Sequence, residues 1–175
     1  MGVKNYLIDG VSGAGKTTVA EALEQRGYHV VHGDRVLAYP GDPETGTRLP
    51  PFTNPRDINA HHIWDVEKVK AIIADRTHPV TFFCGASRNA VHFIDLFDEV
   101  FVLDIDRETL LSRLRARPED EFGGRADEQA LILELHESRA DLPEGALIDS
   151  SPPVDAVVDA ILARCANPAL RHPRA

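Results

Sequence analysis

Cysteine is scarce in this 175-residue chain: Cys84 and Cys165 are the only two, too few and too far apart for a disulfide framework or a metal knuckle. That suits a reducing compartment, and a cytoplasmic location is expected. Long apolar runs are missing too. Nothing approaches the ~20 consecutive apolar residues that span a bilayer, so no membrane partner is expected. The start, Met1-Gly2-Val3-Lys4-Asn5, lacks the basic, apolar and small-residue succession of a signal peptide. Basic charge is in deficit, with 19 Lys plus Arg against 28 Asp plus Glu and a net charge of −9. An acidic surface repels phosphate backbones, which argues against nucleic acid as a partner. No internal repeat and no low-complexity tract interrupts the chain.

What is present is a steady alternation of strand-like and helix-like segments. Tyr6 to Asp9, Tyr28 to His32, Val80 to Cys84, Val100 to Asp104 and Ala146 to Ile148 read as five short strands. Thr17 to Arg26, Val66 to Arg76, Ala90 to Phe97, Arg107 to Arg115, Asp127 to Arg139 and Val154 to Ala163 read as helices. The alternation predicts a parallel sheet covered by helices, in one α/β domain. Two stretches break the rhythm. Residues 37–61 are rich in Pro, Gly, Asp and Thr without a period, and a loop of that length is usually functional or mobile. The run 117–125 is polar and flanked by arginines. The cluster Asp95, Asp98 and Glu99 reads as solvated surface, Cys84 as a packing residue, and the end of the chain, 166–175, as a flexible tail.

The sharpest local pattern is Gly10-Val11-Ser12-Gly13-Ala14-Gly15-Lys16-Thr17, a complete G-x-x-x-x-G-K-T directly after a strand and directly before a helix. The glycines let successive backbone N–H groups turn toward phosphate oxygens. The helix start adds the positive end of its dipole. Lys16 brings a mobile charge to the outer phosphates, and the Thr17 hydroxyl is a ligand for Mg²⁺. The nucleotide-binding set is therefore Gly10, Ser12, Gly13, Ala14, Gly15, Lys16, Thr17 and Thr18, with Mg·ATP as the expected cofactor. No N-K-x-D guanine-reading motif is present, which favours ATP over GTP.

Beyond this loop the chain resembles the P-loop small-molecule kinases: the shikimate kinase, gluconate kinase and nucleoside/nucleotide kinase superfamily. The resemblance spans nearly the whole chain. It rests on the phosphate loop, on His32-Gly33-Asp34-Arg35, on Cys84-Gly85-Ala86-Ser87-Arg88, and on the run from Val102 through Arg117. The segment Ile148 to Val154 is similar to their adenine-side loop, which implies Ser151 and Pro152 against the base. The resemblance implies a three-layer α/β/α P-loop NTPase fold with a five-stranded parallel sheet. It also implies one kinase domain over 1–165, with a substrate-binding insertion at about 35–65 and a short lid at about 117–126. The nucleotide monophosphate kinases carry D-G-F-P-R after the third strand. Here Cys84 replaces the Asp and the Phe-Pro pair is missing, so a nucleoside monophosphate is the less favoured acceptor and no carboxylate for Mg²⁺ stands on that strand.

The expected activity is transfer of the γ-phosphate of ATP to a hydroxyl of a small molecule: a nucleoside, a sugar acid, a shikimate-like polyol or an antibiotic alcohol. A nucleoside monophosphate kinase and a non-kinase nucleotide-binding module are the alternatives. Asp34, at the end of a strand where open α/β sheets bind ligands, is expected to orient the acceptor hydroxyl, take its proton or reach Mg²⁺. Asp9 is the weaker candidate. Arg113 and Arg117, four apart on one helix side, are expected to neutralise the transferring group, with Arg125 beside them in the lid. Arg88 suits an anionic or polyhydroxyl acceptor, Gly85 lies in the same turn, and Arg35, Arg56 and Trp64 are further acceptor candidates. Trp64 is read either as stacking on a ring or as closing the loop onto the core. The chain is expected to act as a monomer or homodimer.

Overall fold

The computed structural model describes residues 3–167, so the expected tail lies outside the described residues apart from Ala166 and Asn167. Five strands form one parallel sheet: β1 (Lys4–Asp9), β2 (His29–His32), β5 (Val80–Cys84), β6 (Glu99–Asp104) and β7 (Ala146–Asp149), in the order β2-β5-β1-β6-β7. The register of β1 runs Tyr6 opposite Phe82 and Glu99, and Ile8 opposite Cys84 and Phe101. Because side chains alternate across a strand, the sheet feeds two cores. Tyr6, Ile8, Phe82, Phe101 and Leu103 pack with α1 (Lys16–Gln25) and α7 (Val154–Ala166). Leu7, Val31, Phe83, Val100 and Val102 face the other way, onto Trp64, Phe93, Phe97 and Val69 of α4 (Val66–Ala74). The three-layer α/β/α P-loop fold expected from the sequence is the fold observed.

Three local readings change. Residues 37–61 are not a structureless loop. They contain β3 (Ala38–Pro40), which pairs antiparallel with β4 (His62–Trp64), and a helical turn α3 (Pro55–Ala60) capped by Asn54. Strands of three residues are too short to show a period, which is why the pattern was silent. Residues 90–97 form two 3₁₀ turns instead of an α-helix, broken at Phe93, whose ring is buried. Glu99 is not surface: it is buried at the start of β6, where Arg164 lies 3.7 Å away, while Asp98 pairs with Lys4 at 2.6 Å.

A short helix α2 (Gly33–Val36) follows β2, and α5 (Arg107–Arg115) follows β6. The segment 116–125 then leads to α6 (Ala126–Ser138). The phosphate loop, α2 and residues 85–89 thus follow directly on the C-terminal ends of β1, β2 and β5, the end of such sheets where ligands bind.

Candidate active site

The phosphate loop folds as the motif requires. Gly15 stands at the start of α1 with φ 103°, a left-handed conformation that costs glycine little and other residues much. The Lys16 ammonium lies back across the loop, donating to the carbonyls of Gly10 at 2.5 Å and Val11 at 3.1 Å. Burial lowers its pKa, and the charges of Asp34 and Asp9 work against that fall. Beneath it, Asp9 is enclosed at the end of β1 and accepts from the Gly10 N–H at 2.6 Å. Burial pushes its carboxyl up to about 6, against the opposing influence of Lys16.

The loop's outer wall comes from the arginine-rich run. Arg113 donates to the Ala14 carbonyl at 3.2 Å and to the Ser150 carbonyl at 2.9 Å. Arg117 donates to Ser12 Oγ at 3.0 Å and to the Phe122 carbonyl at 2.6 Å. Both guanidinium groups are thereby brought against the phosphate loop, though Arg117 lies two residues beyond the end of α5. A cavity of about 1020 Å³ opens here, lined by residues 12–19 together with Arg35, Arg113, Arg117, Ser151 and Pro152. Thr17 and Thr18 are exposed at its floor.

A second cavity, of about 290 Å³, adjoins the first: Ser12, Lys16, Asp34 and Phe122 line both. Asp34 is fixed through a single oxygen. Its Oδ1 accepts from His62 Nε2 at 3.0 Å, from the Ala86 N–H at 3.2 Å and from Trp64 Nε1 at 3.3 Å. Burial tends to raise its pKa, but the His62 hydrogen bond and the charge of Lys16 outweigh that and hold the carboxyl below its usual range. Gly85 makes this approach possible, since a Cβ there would lie 2.6 Å from Asp34 Oδ1. Opposite stand Asn59, Arg88 and Asp141, among the apolar side chains of Ile58, Phe122, Ile132, Leu135 and Leu142.

Several expected acceptor residues are placed otherwise. Trp64 is fully buried, 5.8 Å from the Phe93 ring centroid with the rings parallel, so it closes the insertion onto the core and offers no face to a ligand. Arg56 lines neither cavity; it pairs with Glu134 through two hydrogen bonds of 2.5 and 3.0 Å at the surface. Arg125 also lines neither. It is held by Glu128 at 2.7 Å, the acid that also accepts from the Gly123 N–H and anchors segment 116–125. Arg35 lines the larger cavity, on the nucleotide side. Arg88 does reach the second cavity, but it is paired with Asp141 at 2.9 Å. Cys84 is buried and its thiol pKa is pushed up by that burial, which fits packing and not nucleophilic chemistry.

Sequence reasoning passed over His62, Asn59, Asp141 and the five apolar residues. His62 was visible only as half of an adjacent histidine pair. The others come from α3, the segment 116–125, α6 and the stretch after it, and only the closed fold brings them together. No group of three or more His, Cys, Asp or Glu among the described residues is arranged to hold a metal ion. Among the described residues no helix is long and apolar enough to cross a membrane.

A family model described as AAA domain matches residues 7–134. Among solved structures, the chain is similar to a sugar kinase from Janibacter sp. HTCC2649, with 19% identity, a TM-score of 0.58, and 97% of this chain and 99% of that one covered. It is also similar to a shikimate kinase from Acinetobacter baumannii in complex with shikimate, with 17% identity, a TM-score of 0.60 and coverage of 97% and 96%. A gluconokinase from Sinorhizobium meliloti 1021 aligns at 20% identity, a TM-score of 0.54 and coverage of 93% and 91%. Among curated proteins none matches the chain by sequence. At these identities the likeness is one of fold.

Proposed function

We propose that this chain, which belongs to the AAA domain family, is a small-molecule kinase that transfers the γ-phosphate of ATP to an alcohol. One observation carries the reading: a nucleotide-sized cavity over the phosphate loop and a smaller cavity meet at Ser12, Lys16 and Asp34. A two-substrate transfer needs that junction, and a nucleotide-binding module without an acceptor does not. The fold shared with a sugar kinase, a gluconokinase and a shikimate kinase supports the same reading.

Phosphoryl transfer asks a protein for positioning and charge neutralisation more than for covalent chemistry. The N–H groups of residues 13–18 would hold the nucleotide phosphates, with Ser151 and Pro152 beside the base. Thr17, with Asp34 as the second candidate, would hold Mg²⁺, which would supply counter-charge to the phosphates. Asp34, ionised and pinned through Oδ1, keeps Oδ2 for the acceptor hydroxyl and orients its lone pair at phosphorus. The bond from that oxygen to the γ-phosphorus forms as the bridging β–γ bond breaks. Its electron pair leaves with ADP, and the hydroxyl proton passes to Asp34. Lys16, Arg113 and Arg117 would leave their present carbonyl and hydroxyl partners for phosphate oxygens and neutralise the charge in transit.

The test is ADP release from ATP in the presence of nucleosides, sugar acids, shikimate and antibiotic alcohols. At least one acceptor class is expected to stimulate release, and Asp34→Asn is expected to cut that stimulated rate by ~10²- to 10⁴-fold with ATP affinity retained. No stimulation by any acceptor would move the chain to a nucleotide-binding module, and an unchanged rate in Asp34→Asn would remove that residue from the transfer.

A further inference from the structure

We infer that the acceptor is an uncharged alcohol with an apolar ring or body, and that this cavity rejects carboxylated or phosphorylated acceptors. The inference rests on the kinase reading above and deepens it to a substrate class.

Recognition of an anionic acceptor needs an unspent cation facing it. Among the described residues Arg88 is the arginine that lines the acceptor cavity, and Asp141 neutralises it. Its terminal Nη1 donates to the Asp141 carbonyl at 3.1 Å and stands 2.9 Å from Asp141 Oδ2, while Asn59 donates to that same oxygen at 2.7 Å. The Arg88 side chain is only 13% exposed, its Nε is fully enclosed, and the charge of its guanidinium is countered by the Asp141 carboxylate beside it. The other arginines the sequence suggested for this task are committed elsewhere: Arg56 to Glu134, Arg125 to Glu128, and Arg35 to the nucleotide cavity. Lys16 belongs to the phosphate loop. His62 is hydrogen-bonded to Asp34. Arg88 thus faces the acceptor already neutralised by Asp141.

The rest of the wall is apolar. Ile58, Phe122, Ile132, Leu135 and Leu142 line it, and a carboxylate or phosphate set against them would give up water without gaining a partner. An alcohol whose hydroxyl reaches Asp34 and whose body lies on these side chains meets both halves of the wall. The size, about 290 Å³, suits a molecule of one or two rings.

Matched pairs test this directly on the wild-type protein with ADP bound: methyl shikimate against shikimate, thymidine against thymidine 5′-monophosphate, and further cyclic alcohols against their carboxylated forms, all by calorimetry. The uncharged member of at least one pair is expected to bind more than about tenfold tighter than its charged partner. Equal or tighter binding by the charged members, or no binding by any uncharged one, overturns the inference. Asp141→Asn, which releases Arg88, is expected to shift the preference toward the charged member by about tenfold, and no shift would count against the pairing as its cause. Phosphoryl transfer is read separately by ADP release from ATP. An uncharged alcohol that binds without being phosphorylated sinks the kinase reading and leaves the inference standing. A charged alcohol that is phosphorylated faster than its uncharged partner does the reverse.

Discussion

The two halves of the cleft are made of different material. On the proposed nucleotide side one unbroken stretch, residues 10–18, forms the phosphate loop, and its geometry is backbone geometry set by glycine and by the start of α1. On the proposed acceptor side the polar groups beyond that loop come from different elements: Asp34 from α2, Asn59 from α3, His62 from β4, Arg88 from beyond β5 and Asp141 from beyond α6. A backbone cradle binds what every nucleoside triphosphate has. A side-chain mosaic is retuned one residue at a time. The difference teaches where specificity is held, and three substitutions probe it.

The largest effect is expected at Lys16. Lys16→Ala should lower phosphoryl transfer by ~10³-fold or more, because the mobile charge on the outer phosphates has no substitute in the loop. Acceptor binding measured in the same variant should change little. A variant that keeps a tenth of the wild-type rate would break the comparison at its firmest point.

Asp9 comes next, because it lies beneath both halves and feels Lys16, Arg88 and Asp34. Its carboxyl titrates near 3.8 when unfolded and near 6 when folded. Between those values the folded protein holds a proton that the unfolded chain has lost, so this group favours folding below about pH 4 and ceases to as pH rises through 6. Asp9→Asn removes that dependence. Relative to wild type the variant should gain up to about 3 kcal/mol between pH 4 and pH 7.5, read from urea midpoints at the two pH values. A difference that stays constant with pH would show that the Asp9 carboxyl is not shielded from water as its burial requires.

The same contrast explains what the sequence made legible. The phosphate loop is a contiguous pattern, and its consecutive residues are neighbours in space, so motif and site coincide. The parallel sheet was legible because alternation of strands and helices is itself sequential. The place of Asp34, just past the end of β2, was legible because the strand itself was. What escaped is whatever depends on a distant partner. Nothing near Arg88 in the chain shows that Asp141, 53 residues on, will neutralise it. Trp64 looked equally suited to a ligand or to the core until the Phe93 ring was found alongside it. Arg125 is the exception, since Glu128 stands three residues away at capping-box spacing and the pair was readable in principle.

The smallest effect is expected at Arg56, and it sharpens the comparison from outside. In the chain, Arg56 looks like an acceptor ligand, because it sits in the substrate-side insertion and carries the right charge. In space it joins α3 to α6 on the outer surface, with its side chain 64% exposed and that of Glu134 55% exposed. Exposed ion pairs gain modest Coulomb energy in water and lose side-chain entropy in holding one geometry. Arg56→Ala should therefore leave the acceptor KM and the turnover rate within about twofold of wild type, and raising the salt concentration should not alter that ratio. The argument is geometric: α3 carries Ile58 and Asn59 into the cavity, and α6 carries Ile132 and Leu135. Arg56 and Glu134 line no part of that cavity. A KM that rises tenfold or more in Arg56→Ala would mean that the surface pair sets the width of the acceptor cavity, and the acceptor half would then owe its shape to charge on its outside.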